Sequence, residues 1–212
     1  MLFTTLSIRS LPLAVLTHMS NLAIGFRAKT GKAIVVILGG PPDSPIVLFK
    51  TEIKLIDPKV PATRQPYHEV MDLPWSQSQQ AVAKSLRAIE QVATKTLARL
   101  ITDEVGPSHM IAGVGVVGAP DRDLARIGNP HIRAHAAEGV LFRRVLETAA
   151  TANGLKWQSF PDRDFDQAAA GRLSTNYSIV KQRLNDLRQS VPAPWRTDEK
   201  QAAMAAWIVL HQ

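Results

Sequence analysis

In Asn21-Leu-Ala-Ile-Gly-Phe-Arg-Ala-Lys-Thr-Gly-Lys-Ala-Ile-Val-Val-Ile-Leu38, two short apolar runs, Leu22 to Phe26 and Ala33 to Leu38, flank a Lys-Thr-Gly-Lys turn. The pattern predicts a β-hairpin that opens a domain. Working outward, Gly39-Gly-Pro-Pro-Asp-Ser-Pro45 is a dense turn cluster, and Ile46 to Ile56 reads as a third strand. The span from Pro58 to Pro74 holds prolines without periodicity and is predicted to be a loop. From Ser76 to Ile101 runs the longest helical signal, with Val82, Leu86, Ile89, Val92, Ala93, Leu97 and Leu100 on one stripe.

Met110-Ile-Ala-Gly-Val-Gly-Val-Val117 has the apolar continuity of a buried parallel strand. His131 to Asn153 reads as a helix that stops at Asn153-Gly154, and Lys156 to Phe160 as a brief strand. Tyr177 to Leu187 and Asp198 to Leu210 read as helices, the latter with Thr197 or Asp198 as N-cap. A leading antiparallel meander followed by alternating units implies an α/β domain: a mixed sheet of a three-strand meander plus parallel strands, with helices on both faces.

Composition sets the class. The chain has 212 residues, 45% hydrophobic and 20% charged, enough for one domain with a sizeable core. A net charge of +7 points toward nucleic acid or another polyanion. The absence of cysteine excludes disulfides, thiolate nucleophiles and Cys-based metal sites, and it fits a cytoplasmic location. No stretch reaches the ~18–20 apolar residues that span a bilayer, so no membrane partner is expected. Leu11-Pro-Leu-Ala-Val-Leu16 imitates a signal peptide only faintly, since Arg9 lies inside rather than at the start. Residues 1–20 are expected to be a poorly ordered extension, with Met19 an alternative start, and residues 21–212 a single domain.

The element order, the opening Leu22-Ala-Ile-Gly-Phe-Arg27, the span Phe165 to Leu184 and the ending Thr197-Asp-Glu-Lys-Gln-Ala-Ala-Met-Ala-Ala-Trp-Ile-Val-Leu-His211 together resemble the ribonuclease-H-like superfamily. The second half is most similar to its RuvC-type Holliday-junction resolvase branch. The resemblance implies clustered carboxylates holding two Mg²⁺ ions for phosphodiester cleavage. This chain departs from that pattern. The first carboxylate position falls on Gly25, and no acidic residue lies between Val105 and Pro120. Only Asp198 and Glu199 remain as residual acidic positions on the last helix. The expectation is therefore a RuvC-like domain with a degenerate catalytic site and no cofactor. It would act as a nucleic-acid-binding or structural module through Arg27, Lys29 and Lys32, with a homodimer left open. Two alternatives stand beside it. One is an active metal-dependent endonuclease using Mg²⁺ on relocated carboxylates (Asp57, Glu69 or the Asp162–Asp166 cluster). The other is a protein-interaction scaffold.

Other constellations are weaker. His131, His135 and Glu138 share one helical face and could ligate zinc. The same arc continues into Phe142 and Val145, and Pro130 puts His131 in the first turn, so surface or capping histidines are expected. Gly113-Val-Gly-Val-Val-Gly118 satisfies G-x-G-x-x-G, yet Ala119-Pro120-Asp121 interposes a loop before any helix, and a strand packed tightly beneath a helix is expected. Asp162, Asp164 and Asp166 lack the glycine and glutamate of a calcium loop. Arg143, Arg144 and Arg172 are expected to add positive charge further along.

Overall fold

The computed structural model describes residues 21–212, so the extension expected over residues 1–20 lies outside the described residues. Five strands form one sheet in the order β3-β2-β1-β4-β5. They are β1 (Asn21–Lys29), β2 (Lys32–Gly39), β3 (Ile46–Lys54), β4 (Met110–Gly118) and β5 (Trp157–Pro161). The first three pair antiparallel, and β4 pairs parallel with both β1 and β5. This is the mixed sheet that the ribonuclease-H-like resemblance implied. The hairpin closes with Lys29 opposite Lys32, and Gly31 at φ +75° supplies the left-handed residue that the turn needs.

Among the described residues, six α-helices accompany the sheet: α1 (Trp75–Ala81), α2 (Ala83–Leu100), α3 (Pro130–Ala152), α4 (Phe165–Arg172), α5 (Tyr177–Asp186) and α6 (Thr197–Leu210). Because alternate strand residues point to opposite faces, β1 serves two cores. Leu22, Ile24, Phe26 and Ala28 meet Ile89, Ala93 and Leu97 of α2 and Phe142, Val145 and Leu146 of α3. On the other face, Ala23 of β1 and Val36 and Leu38 of β2 pack with α6, which is buried along almost its whole length, and with α4 and α5. An all-round apolar helix is a buried helix, and Ala202, Ala203, Ala205 and Ala206 let this one sit close.

Two expectations are corrected. The signal from Ser76 to Ile101 is two helices broken at Val82, followed by a wide turn from Ile101 to Val105. A helix also stands at Phe165–Arg172, between the Lys156–Phe160 strand and the Tyr177 helix, where the sequence reading places no element; Asp164, at φ 57°, turns the chain into it. Gly171 lies within α4 with open space where a Cβ would stand. Gly171→Ala is expected to raise stability by about 0.5–1 kcal/mol, read as a higher urea midpoint with an unchanged m value.

Candidate functional site

The carboxyl ends of β1, β4 and β5 and the first turn of α6 converge on one end of the sheet. Gly25, Arg27 and Lys29 alternate along β1 on the α6 face. A Cβ at Gly25 would stand 1.8 Å from the Ala202 carbonyl oxygen and 2.8 Å from the Ala206 backbone nitrogen. A Cβ at Gly115, its neighbour on β4, would stand 2.5 Å from the Ala205 oxygen. Helix backbone therefore occupies the space where side chains of β1 and β4 would project. The glycines of the G-x-G-x-x-G match serve this close approach, as the interposed loop implied. A Cβ at Gly118 would stand 2.9 Å from Cβ of Arg143.

Beyond Gly25 the site is held by ion pairs. Nη2 of Arg27 donates to Oδ2 of Asp162 at 3.2 Å, Nη1 donates to the Ala28 carbonyl, and Nε stands 3.5 Å from Oδ1 of Asp198. The Arg27 side chain is only 13% exposed. Lys29 Nζ lies 3.2 Å from Asp198 Oδ2, so Asp198 faces two cations. Glu199 turns away. It is buried and accepts the Arg196 backbone N–H at 2.8 Å, which caps its own helix. Its field also reaches Lys50, whose Nζ donates to the carbonyls of Pro192 and Pro194 at 2.6 Å. Burial pushes the Lys50 ammonium down from its ordinary pKa, and Glu199 works against that.

Across the same end, Lys29 pairs in register with Lys32, and Lys32 with Lys54. Cross-strand partners share a face, so three lysines form a row over β1, β2 and β3. Glu52 accepts from Lys32 at 2.8 Å and holds its pKa above the ordinary value. Lys54 is exposed and was not singled out from sequence, because only the register of β3 brings it beside the hairpin turn.

Two Mg²⁺ ions do not fit this site. Hard divalent ions need several anionic oxygens around one point. Here the β1 position has no side chain, and Asp162 and Asp198 are committed to a guanidinium. Asp121, the first carboxylate after β4, is bound by Arg143 and Arg144. The relocated candidates do not gather either. Asp57 accepts from the Lys59 backbone and Asp166 from Gln201, and no three carboxylates bring ligand atoms together among the described residues.

Arg143, expected to add positive charge beside Arg144 and Arg172, lies in the core. It is 6% exposed, donates to the Ala119 carbonyl at 2.8 Å, and pairs with Glu147 and Asp121. Glu147 also accepts from Ser159. His131 and His135 are exposed, while Glu138 on the same helical face is fully buried.

No family model matches this chain, and no curated protein matches it. Among solved structures, Thermus thermophilus RuvC is similar at 14% identity, covering 88% of this chain and 92% of that one with a TM-score of 0.45. T. thermophilus RuvC in complex with a Holliday junction substrate is similar at 13% identity, covering 88% and 90% with a TM-score of 0.46.

Proposed function

We propose that this domain binds nucleic acid through the hairpin end of its sheet and does not cleave it by a two-metal mechanism. The observation that carries the reading is the closure at Gly25. With α6 backbone 1.8 Å from where a Cβ would stand, the position that would hold a metal ligand is filled. Arg27 then supplies the positive charge that a cation would bring, fixed between Asp162 and Asp198. Lys29 and Lys32, each on a part-exposed carboxylate partner (Asp198 and Glu52), and the exposed Lys54 stand at the solvent edge of the site, able to meet backbone phosphates. Neighbouring strands lie ~4.8 Å apart, so the row reaches about 10 Å, a span of about three phosphates at the ~3.4 Å axial spacing along one duplex strand. Phosphate contacts of this kind position a nucleic acid without reading its sequence.

Affinity should therefore be independent of sequence and fall with salt, by about −0.9 in log–log slope for each phosphate neutralised on duplex DNA. Fluorescence anisotropy with duplex and four-way-junction DNA at several salt concentrations measures the slope. Lys29→Ala/Lys32→Ala/Lys54→Ala is expected to flatten it by roughly 2–3 units and to weaken binding to all sequences alike. Arg27 is left intact because removing it would strand Asp162 and Asp198. An unchanged slope, or no binding by the wild type at low salt, would reject this interface in favour of a protein scaffold. Incubation of each DNA with Mg²⁺ or Mn²⁺ should leave it uncut.

A further inference from the structure

On the opposite face of the sheet, the loop before α1 brings His68 against the first two turns of α3. The rings of His68, His131 and His135 pack edge to face, with centroids 4.3 to 5.0 Å apart. One ligand nitrogen from each lies within 4.8 Å of the others, and Nε2 of His131 stands 3.1 Å from Nε2 of His135. Nitrogens around a tetrahedral zinc, each about 2.0–2.1 Å from the ion, stand about 3.3–3.4 Å apart. The α3 pair is already near that spacing.

Glu138 decides how His68 is presented. Its Oε1 accepts from Nδ1 of His68 at 2.8 Å and from the His68 backbone N–H at 3.3 Å. A carboxylate accepts, so the bond assigns the ring proton to Nδ1 and leaves the lone pair on Nε2. That Nε2 is buried and has no hydrogen-bond partner. Buried polar atoms without partners are rare, and one aimed beside two further imidazoles requires an explanation. A carboxylate on the far nitrogen of a histidine is also the arrangement that orients metal-bound imidazoles and raises their basicity. Three neutral nitrogen ligands suit zinc-class ions and not Mg²⁺ or Ca²⁺.

We infer that His68, His131 and His135 form a site for one zinc-class divalent ion, with Glu138 positioning His68 and the fourth coordination position open to solvent. His131 and His135 are both exposed, which places the open side outward. The ion would tie the loop over residues 57–74, which joins α3 through the His68–Glu138 bond, to the first turns of that helix. The site stands on its own geometry and is independent of the phosphate row.

The test uses the full chain, stripped with chelator and titrated with ZnCl₂ against a chromophoric competitor, and with CoCl₂ read by visible absorption. One equivalent is expected, with the intense d–d bands of a low-coordinate Co²⁺ site. With Zn²⁺ at 100 times its Kd, a rise in Tm of roughly 5–10 °C is expected. Glu138→Gln should keep one equivalent and weaken Zn²⁺ by about 10–100-fold, an effect that a merely structural role would not produce. His131→Ala, at an exposed position that leaves the core untouched, should abolish the cobalt bands. So should His68→Ala. No stoichiometric uptake by the wild type overturns the site. Undiminished affinity in His68→Ala would also overturn it, since binding would then rest on the α3 pair alone.

Discussion

Replacing Gly25 with aspartate is expected to unfold the domain, not to equip it for catalysis. The new Cβ would meet the Ala202 carbonyl at 1.8 Å, and the two charged oxygens would have to enter a layer of alanine and backbone. Overpacking and burial of an unpaired charge add, so the loss should exceed about 4 kcal/mol, at the far end of what single substitutions do. Urea unfolding followed by far-UV circular dichroism measures it. Gly115→Ala should fall in the same direction with a smaller loss, since its Cβ would stand 2.5 Å from the Ala205 oxygen. Gly139→Ala is the control. Its Cβ would touch only Cβ of Ala119 at 3.0 Å, and the gain in helix propensity of up to ~1 kcal/mol offsets that crowding. A folded Gly25→Asp protein with metal-dependent nuclease activity would overturn both the packing argument and the proposed function.

The second large effect is expected at Arg143. Its guanidinium joins the loop after β4 to α3, through the Ala119 carbonyl, Asp121 and Glu147. Arg143→Ala removes the cation paired with Glu147, which is itself 8% exposed and shared with Ser159. Stripping one partner from a buried pair costs about 3–5 kcal/mol, because the survivor is left charged and desolvated. Arg143→Met/Glu147→Met should recover most of the loss, since apolar residues of similar volume need no counter-charge. Equal destabilisation by the single and double variants would show that Arg143 acts through its stem alone.

Local chemistry made much of the fold legible before any coordinates. The hairpin could be read because Lys-Thr-Gly-Lys interrupts two apolar runs, and the end of α3 because Asn153-Gly154 offers a left-handed stop, with Gly154 at φ +72°. Helix α4 was not legible. Asp166, Gln167 and Arg172 surround Ala169 and Ala170 without an apolar stripe, and the turn at Asp164 leaves no glycine to announce it. The break at Val82 was hidden because the apolar stripe runs straight through it.

At the candidate sites, composition could place charge but could not say where it ends. Arg143 and Arg144 are adjacent, yet one is buried and the other exposed, a difference set by which face of α3 meets β4 and β5. His68 could not be joined to Glu138 by any local pattern, since 70 residues separate them. Pairing at that range exists only once the loop over residues 57–74 has folded onto α3.

The dependence of β1 on α6 also has a consequence in time. Lys29 and Asp198 are 169 residues apart, and Gly25 waits for Ala202 across a similar length of chain. At 5–20 residues per second, a ribosome needs about 10–30 s to pass from one to the other. Through that interval Ala23, Val36 and Leu38 lack α6, the helix that lies against this side of the hairpin. The nascent chain thus carries an open apolar sheet face for most of its synthesis, and this is the stretch on which a chaperone would act. A chain cut before Thr197 would never lose that face, and quality control would treat it as unfinished.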